Sequence, residues 1–144
     1  MTSEHASLGL LMREPVRLGN SRIADSFATR GHPEVRPPHG DVFQFLDQEG
    51  TRVSTLAERA QITKQSMAEL VAHLEKHGYV ERVPDPDDGR AKLVRTTRRG
   101  EEIYAIAREV IAEIEMEWTE ILGKKKLAEL RRILERLNAG IAGD

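Results

Sequence analysis

The chain has 144 residues, 32% of them charged and 4% aromatic, with a net charge of −2 and no cysteine. That length suits one ordinary domain, or a small domain with an oligomerisation appendage, and the composition favours exposed helices over a large β core. Disulfides, thiolate zinc sites and cysteine redox sensing are excluded. No apolar run approaches the roughly 20 residues that span a bilayer, and MTSEHASLGLL lacks a basic region before its short apolar patch, so a cytoplasmic protein without a membrane partner is expected.

Residues 8–29 have a helical pattern, with Leu8, Leu11, Met12, Val16, Ile23 and Phe27 as the apolar positions. Pro15 removes one helical hydrogen bond and crowds the carbonyl four residues back, which predicts a kink or a fresh start near Glu14–Pro15. The prolines of 30–38 predict a loop. A second helix is expected from about Pro38 to Gln48, burying Val42, Phe45 and Leu46 and stopping at Gly50. Arg52-Val53 suggests a short β segment. A third, very short helix then follows, with Ser54 or Thr55 as N-cap; Thr55 places Glu58 at the capping-box position. Leu56 and Ala60 are its expected core residues, and it should end near Gln61-Ile62.

Thr63 is the natural N-cap of a fourth helix whose Met67, Leu70, Val71 and Leu74 share one face at i, i+3, i+4, i+7. Gly78 ends it where a positive φ is commonly needed. Two short helices joined by a tight turn form a helix-turn-helix, whose second member can enter a DNA major groove. Tyr79–Val83 alternates as a strand, 84–89 is dense in Pro, Asp and Gly turn chemistry, and Ala91–Thr96 returns as a second strand. A hairpin directly after a helix-turn-helix suggests a wing. The charge distribution agrees. Residues 60–100 carry 8 basic and 6 acidic groups, whereas 1–59 carry 7 and 8, and 101–144 carry 7 and 10. Arg90, Lys92, Arg95, Arg98 and Arg99 follow one another with no acid among them, a local patch able to meet phosphate.

Thr97 should cap a long fifth helix, about 97–122, carrying Ile103, Ile106, Ala107, Val110, Ile114, Trp118 and Ile121 along one side, with Gly123 as its break. The last helix places Leu127, Leu130, Leu134, Leu137 and Ile141 at alternating steps of three and four, a heptad seam that Ile133 widens. Two such helices offer more apolar surface than a small winged domain can cover. They are expected to pack, with Leu8 and Leu11 of the first helix, against a second copy; the alternative is an intramolecular helical hairpin closing on the first helix. The predicted fold is thus mainly α with a small β-hairpin wing (α+β). It divides into an N-terminal dimerisation helix and loop (1–37), a winged helix-turn-helix domain (38–97) and C-terminal dimerisation helices (98–144).

Base reading is expected from Lys64, Gln65, Ser66 and Glu69 on the exposed N-terminal half of the fourth helix, with His73 further along. Gln can bond adenine in bidentate fashion, Glu can accept from cytosine, and Ser reads either. Thr55 and Thr63, at helix N-termini, suit phosphate oxygens. At the wing, Arg90 is placed to enter a narrow minor groove with Asp88 bracing it, and Lys92 and Arg95 to lie near phosphates, with Arg98 and Arg99 at the base. The alternative is a winged helix that docks an acidic protein partner, or an anti-regulator without sequence-specific DNA binding. An enzyme has little support. His5, His32, His39, His73 and His77 lack metal-ligand spacing, since the His73/His77 pair has no HExxH glutamate, and there is no Gly-rich phosphate loop or nucleophile elbow. No metal or cofactor is expected.

The run LAERAQITKQSMAELVAHLEKHGYVERVPDPDDGRAKLVRTTRRGEEI resembles the MarR (multiple antibiotic resistance regulator) family of bacterial winged-helix regulators. The resemblance rests on the reading helix, the Leu74…Gly78-Tyr79-Val80 exit, the D-x-R wing at Asp88 and Arg90, and Thr97…Gly100 at the start of the long helix. With the flanking helices it covers about residues 8–140. Thr96-Thr97 replaces the family's usual Leu-Thr after the wing, and Pro15 is a second departure. The resemblance implies a triangular obligate homodimer that binds double-stranded DNA at a pseudo-palindromic operator and usually represses. Many members of the family release DNA when a small aromatic or phenolic acid occupies a pocket between the dimer helices and the winged domain. Near such a pocket Arg13, Arg17 and His39 would offer positive or hydrogen-bonding groups. The branch that senses peroxide through a cysteine is excluded by composition.

Overall fold

The computed structural model describes residues 6–143; residues 1–5, with His5 and the start of the N-terminal segment, and residue 144 lie outside it. Six α-helices and one hairpin follow in the order α1 (Leu8–Thr29), α2 (Gly40–Phe45), α3 (Val53–Ala60), α4 (Lys64–Lys76), β1 (Val80–Asp85), β2 (Asp88–Thr96), α5 (Arg98–Leu122) and α6 (Lys124–Ala142). The chain divides into two compact units, one ending at Arg108 and the next beginning at Glu109. None of the helices is long and apolar enough to cross a membrane among the described residues.

Ser7 starts α1 by accepting a hydrogen bond from the Leu10 N–H at 3.2 Å. The fresh start expected at Pro15 does not occur: α1 runs unbroken through it. The missing N–H costs one hydrogen bond, and the bonded turns on either side carry the helix across. An ion pair from Arg17 Nη2 to Glu14 Oε1, 2.6 Å long, straddles the proline. It is exposed on both sides, where solvent screens it, and it adds little to stability.

The second helix is shorter than its pattern suggests. A 3-10 turn over Pro37–His39 leads into α2, whose chain turns extended at Leu46. Val42 is buried as expected, but Phe43 joins it in the core, while Phe45 and Leu46 are only half-buried. The β segment also shifts by one residue: Thr51 forms an isolated antiparallel bridge with Val94, and Val53 already belongs to α3. Consequently Arg52, not Ser54 or Thr55, is the N-cap, and no side chain caps the helix. Thr55 sits in the first turn and no capping box with Glu58 forms. Leu56 and Ala57 are buried, with Ala60 half-buried.

The turn between α3 and α4 depends on Gln61, which takes a left-handed backbone with φ of 57°. Its N–H reaches back to Ala57 and Glu58 carbonyls. Thr63 then caps α4, accepting from the Ser66 N–H at 3.0 Å. Met67, Val71 and Leu74 are fully buried and Leu70 half-buried, as the periodicity requires. Gly78 leaves the helix with φ of 81°.

The wing is longer and tighter than the turn chemistry suggests. Its strands pair antiparallel from Val80↔Thr96 to Pro84↔Lys92, then shift register so that Asp85 pairs with Asp88. Only Pro86 and Asp87 remain as the tip; Pro84, Asp85, Asp88 and Gly89 belong to strands. Thr97 closes the base, its Oγ1 accepting from the Gly100 N–H at 3.2 Å and donating to the Gly78 carbonyl at 2.5 Å. Ile103, Ile106, Val110 and Ile114 of α5 are buried, whereas Ile121 is exposed. In the second unit Arg131 of α6 pairs with Glu115 of α5. No residue of α6 is buried.

Candidate nucleic-acid interface

Lys64, Gln65, Ser66 and Glu69 are all exposed on the N-terminal half of α4, on the side away from Met67, Val71 and Leu74. Thr63 holds the start of that face rigid: its hydroxyl donates to Ser66 Oγ at 2.8 Å while accepting the Ser66 N–H. The two hydroxyls are thus mutually oriented before any ligand arrives. Thr55 stands elsewhere, half-buried in the first turn of α3.

His73 is not on this face in the sense expected. Its Nε2 lies 2.8 Å from the Glu34 carbonyl, and its ring stacks on His39 with centroids 4.3 Å apart and tilts against His77 at 4.7 Å. The side chain holds α4 to the segment before α2. His39 is itself buried, and its Nδ1 accepts from the Arg36 N–H at 2.9 Å. Burial first, then the neighbouring His73, pushes the His39 pKa down to about 4. It is therefore a neutral, structural histidine at neutral pH.

At the wing, Arg90 projects into solvent with its side chain 95% exposed, and its Nε lies 3.5 Å from Asp88 Oδ1. The same oxygen accepts the Arg90 N–H at 3.1 Å, so Asp88 orients both backbone and guanidinium. Lys92 is exposed. Arg95 is paired across the hairpin with Glu81, at 2.5 Å. That exposed pair holds the strands more than it offers a free cation.

Arg98 is exposed at the base, but Arg99 has a different role from the one expected. Its guanidinium lies 4.6 Å over the Tyr79 ring, and its Nη2 donates to the Tyr79 hydroxyl at 3.0 Å. Tyr79 is the centre of a polar knot that sequence reasoning missed. Its hydroxyl donates to Glu34 Oε2 and sits 2.9 Å from His32 Nδ1, whose Nε2 lies 3.3 Å from Glu102. Glu34's own backbone N–H, then the Tyr79 hydroxyl, hold its carboxyl below the usual range. Burial and the Glu34 bond push the Tyr79 phenol up. Residues 45 positions apart meet here, and only the aromatic at the strand start hinted at it.

Two further residues were not singled out from the sequence. Arg52 donates from Nε (2.9 Å) and Nη2 (2.6 Å) to Asp85 Oδ2, while Asp85 Oδ1 accepts the Asp87 N–H at 2.9 Å. The Asp87 N–H, followed by the Arg52 guanidinium, keeps the Asp85 carboxyl below its ordinary range. The Asp85–Asp87 bond is an Asx turn, which D-P-D hints at; the arginine is not foreshadowed.

Of the effector candidates, Arg17 lines a cleft of about 460 Å³ between α1 and residues 33–37, together with Asn20, Ser21, Asp25, Val35 and Arg36. Arg13 is exposed and His39 does not line the cleft. Of the residues expected at a dimer contact, Val110 and Ile114 are already buried within the chain. Trp118, Leu127 and Leu134 are half-buried, lining a groove between α5 and α6, and Leu8, Leu11, Leu130 and Leu137 are exposed. Among the described residues no group of three or more His, Asp or Glu could hold a metal ion.

A helix-turn-helix with an exposed, capped second helix, followed by a hairpin with an exposed arginine near its tip, defines a winged helix-turn-helix module. A MarR family model matches residues 35–91, from the turn before α2 to the returning strand of the wing. The transcriptional regulator FarR of Neisseria gonorrhoeae is 31% identical over 150 aligned positions, covering 95% of this chain and 97% of FarR. The transcriptional regulator HosA of Escherichia coli O111:H- is 37% identical over 76 positions, which span 52% of this chain and only 56% of HosA's length. A crystal structure of MarR superposes with a TM-score of 0.83 at 22% identity, covering 99% of this chain and 95% of that one. CouR from Rhodococcus jostii RHA1, solved bound to p-coumaroyl-CoA, superposes at 0.71 with 19% identity over 95% of both chains. The chain belongs to the MarR family of transcriptional regulators.

Proposed function

We propose that the protein is a homodimeric, sequence-specific DNA-binding repressor that reads a pseudo-palindromic operator and releases it when a small aromatic or phenolic acid binds. One observation carries the DNA reading. Lys64, Gln65, Ser66 and Glu69 are exposed together on a capped helix, and Arg90 projects from the wing with 95% of its side chain in solvent. Groups so placed reach base edges in a major groove and the potential of an adjacent minor groove. The neighbouring His73, Arg95 and Arg99 are engaged within the chain, which confines the readout to a small set of side chains.

The exposed apolar residues of α1 and α6 support a second copy. Leu8 is 76% exposed and Ile141 75%, and Leu11, Val16, Leu130, Ile133 and Leu137 are likewise uncovered. A helix with a heptad seam and no buried residue is stable when a partner covers the seam. Two-fold pairing would present two α4 helices to two half-sites. The cleft beside Arg17 and Arg36, with Arg17 already paired to Glu14 and Asp25 also in the lining, has room for a small aromatic or phenolic ligand, and CouR, similar in fold, was solved bound to p-coumaroyl-CoA.

The test is fluorescence anisotropy with the DNA upstream of the protein's own gene, repeated across salt concentrations. Affinity should fall steeply with salt as phosphate contacts release counterions, and Arg90→Ala should weaken it about tenfold while leaving the dimer folded. Wild-type protein that binds this DNA no better than unrelated DNA at any salt would sink the reading.

A further inference from the structure

Gly50, Thr51 and Arg52 run beside the hairpin just before α3 begins. Thr51 exchanges both backbone bonds with Val94, at 2.9 and 2.8 Å, so this segment forms a short third edge along β2. Gly50 has a φ of 113°, and a Cβ there would stand 3.0 Å from Leu93 Cβ, so the close approach is specific to glycine. The next residue, Arg52, caps α3 and sends its guanidinium to Asp85 at the far end of β1.

Asp85 is 7% exposed although it lies one residue from the wing tip. Both of its oxygens are used: Oδ2 takes two bonds from Arg52, and Oδ1 takes the Asp87 N–H of the tip itself. One residue after the tip, Asp88 orients Arg90 in the same way. Two carboxylates therefore act in series. The first joins the tip to the start of the helix-turn-helix, and the second joins Arg90 to the tip. A two-stranded ribbon has little rigidity of its own in water, so its direction depends on such ties. A carboxylate this buried also needs a cation beside it, and Arg52, itself nearly half-exposed, supplies it.

We propose that Arg52 and Asp85 are positioning residues for the wing, a latch of two hydrogen bonds to one carboxylate oxygen that sets the distance between Arg90 and the reading face of α4. The latch rests on the DNA-binding reading for its purpose but not for its mechanics. Neither residue needs to touch DNA: their effect passes through Arg90.

Two measurements on the full-length protein test this. The first is 15N relaxation of the wing amides 86–90 and of α4 in Asp85→Asn and Arg52→Lys, the latter keeping the charge but losing the planar fork. Both variants should show loosened wing amides and unchanged α4 amides. The second is a double-mutant cycle on binding to the DNA upstream of the protein's own gene. Asp85→Asn should lower affinity by about as much as Arg90→Ala, on the order of tenfold, and the double variant should lose little more than Arg90→Ala alone. Unchanged wing relaxation, or losses that multiply in the double variant, would overturn the latch. Should Asp85→Asn not fold, Arg52→Lys carries both measurements. If the wild-type protein retains no DNA, the functional reading fails separately, and the relaxation result alone decides whether the pair holds the wing.

Discussion

Acid should destabilise this fold through His39 before most of its carboxylates are protonated. The ring is 7% exposed, lies flat against His73 at 4.3 Å and accepts the Arg36 N–H on Nδ1. Protonation would place a charge in a poorly solvated site beside other basic groups and would break the Arg36 bond, because a protonated Nδ1 cannot accept. The folded-state pKa is near 4 against an ordinary 6.5. The unfolded chain therefore binds the proton first, and stability falls as pH drops from about 6.5 towards about 4, being fully present only above that range. A separation of about 2.5 pH units at about 1.4 kcal/mol each gives an upper limit of about 3.5 kcal/mol. Urea unfolding followed by circular dichroism at steps between pH 7.5 and 4, with wild type and His39→Gln compared, measures the slope. Gln keeps an acceptor for the Arg36 N–H without titrating, so its stability should decline less over that range. An NMR titration should show the His39 ring protonating well below the exposed-histidine range. Parallel stability curves for the two proteins, or an ordinary His39 midpoint, would refute the reasoning.

Three other outcomes follow from single contacts. Gln65→Ala should lower the preference for the operator over a variant site by about 1–2 kcal/mol while leaving non-specific binding intact; a uniform loss on all sequences would mean Gln65 does not read a base. Gly100→Ala should cost about 1–3 kcal/mol in urea unfolding, since a Cβ there falls well inside contact distance of Thr96 Oγ1 and the Tyr79 carbonyl at the start of α5. A variant as stable as the parent would show that α5 can move off β1 freely. Leu137→Glu on the exposed seam of α6 should shift sedimentation toward the monomer. An unchanged dimer would place the contact elsewhere.

The elements legible in the sequence are those whose causes are local. Thr63 and Thr97 cap helices within a turn of themselves, Gly78 and Gly123 end helices by backbone conformation, and the three-and-four spacing of Met67, Leu70, Val71 and Leu74 selects the buried face of α4. Family-level resemblance followed from the same short-range marks. The errors are of two kinds. Where a shift of one or two residues was open, as between Phe43 and Phe45 or between Thr51 and Arg52, local pattern could not choose, because the deciding contacts came from Tyr104 and Val94. Where a polar residue had two uses, type alone was silent. Arg90 and Arg99 read alike in the chain, yet one projects into solvent and the other lies over Tyr79.

By itself, then, the sequence determined a winged helix-turn-helix with amphipathic flanking helices, since periodicity and capping act over four residues or fewer. Tertiary structure decided which polar side chains are engaged within the chain and which stay exposed. His73 and Arg99 are withdrawn into contacts with Glu34 and Tyr79, and Arg52 is joined to Asp85, 33 residues away. Such pairings depend on where loops bring distant segments, and no local propensity encodes that.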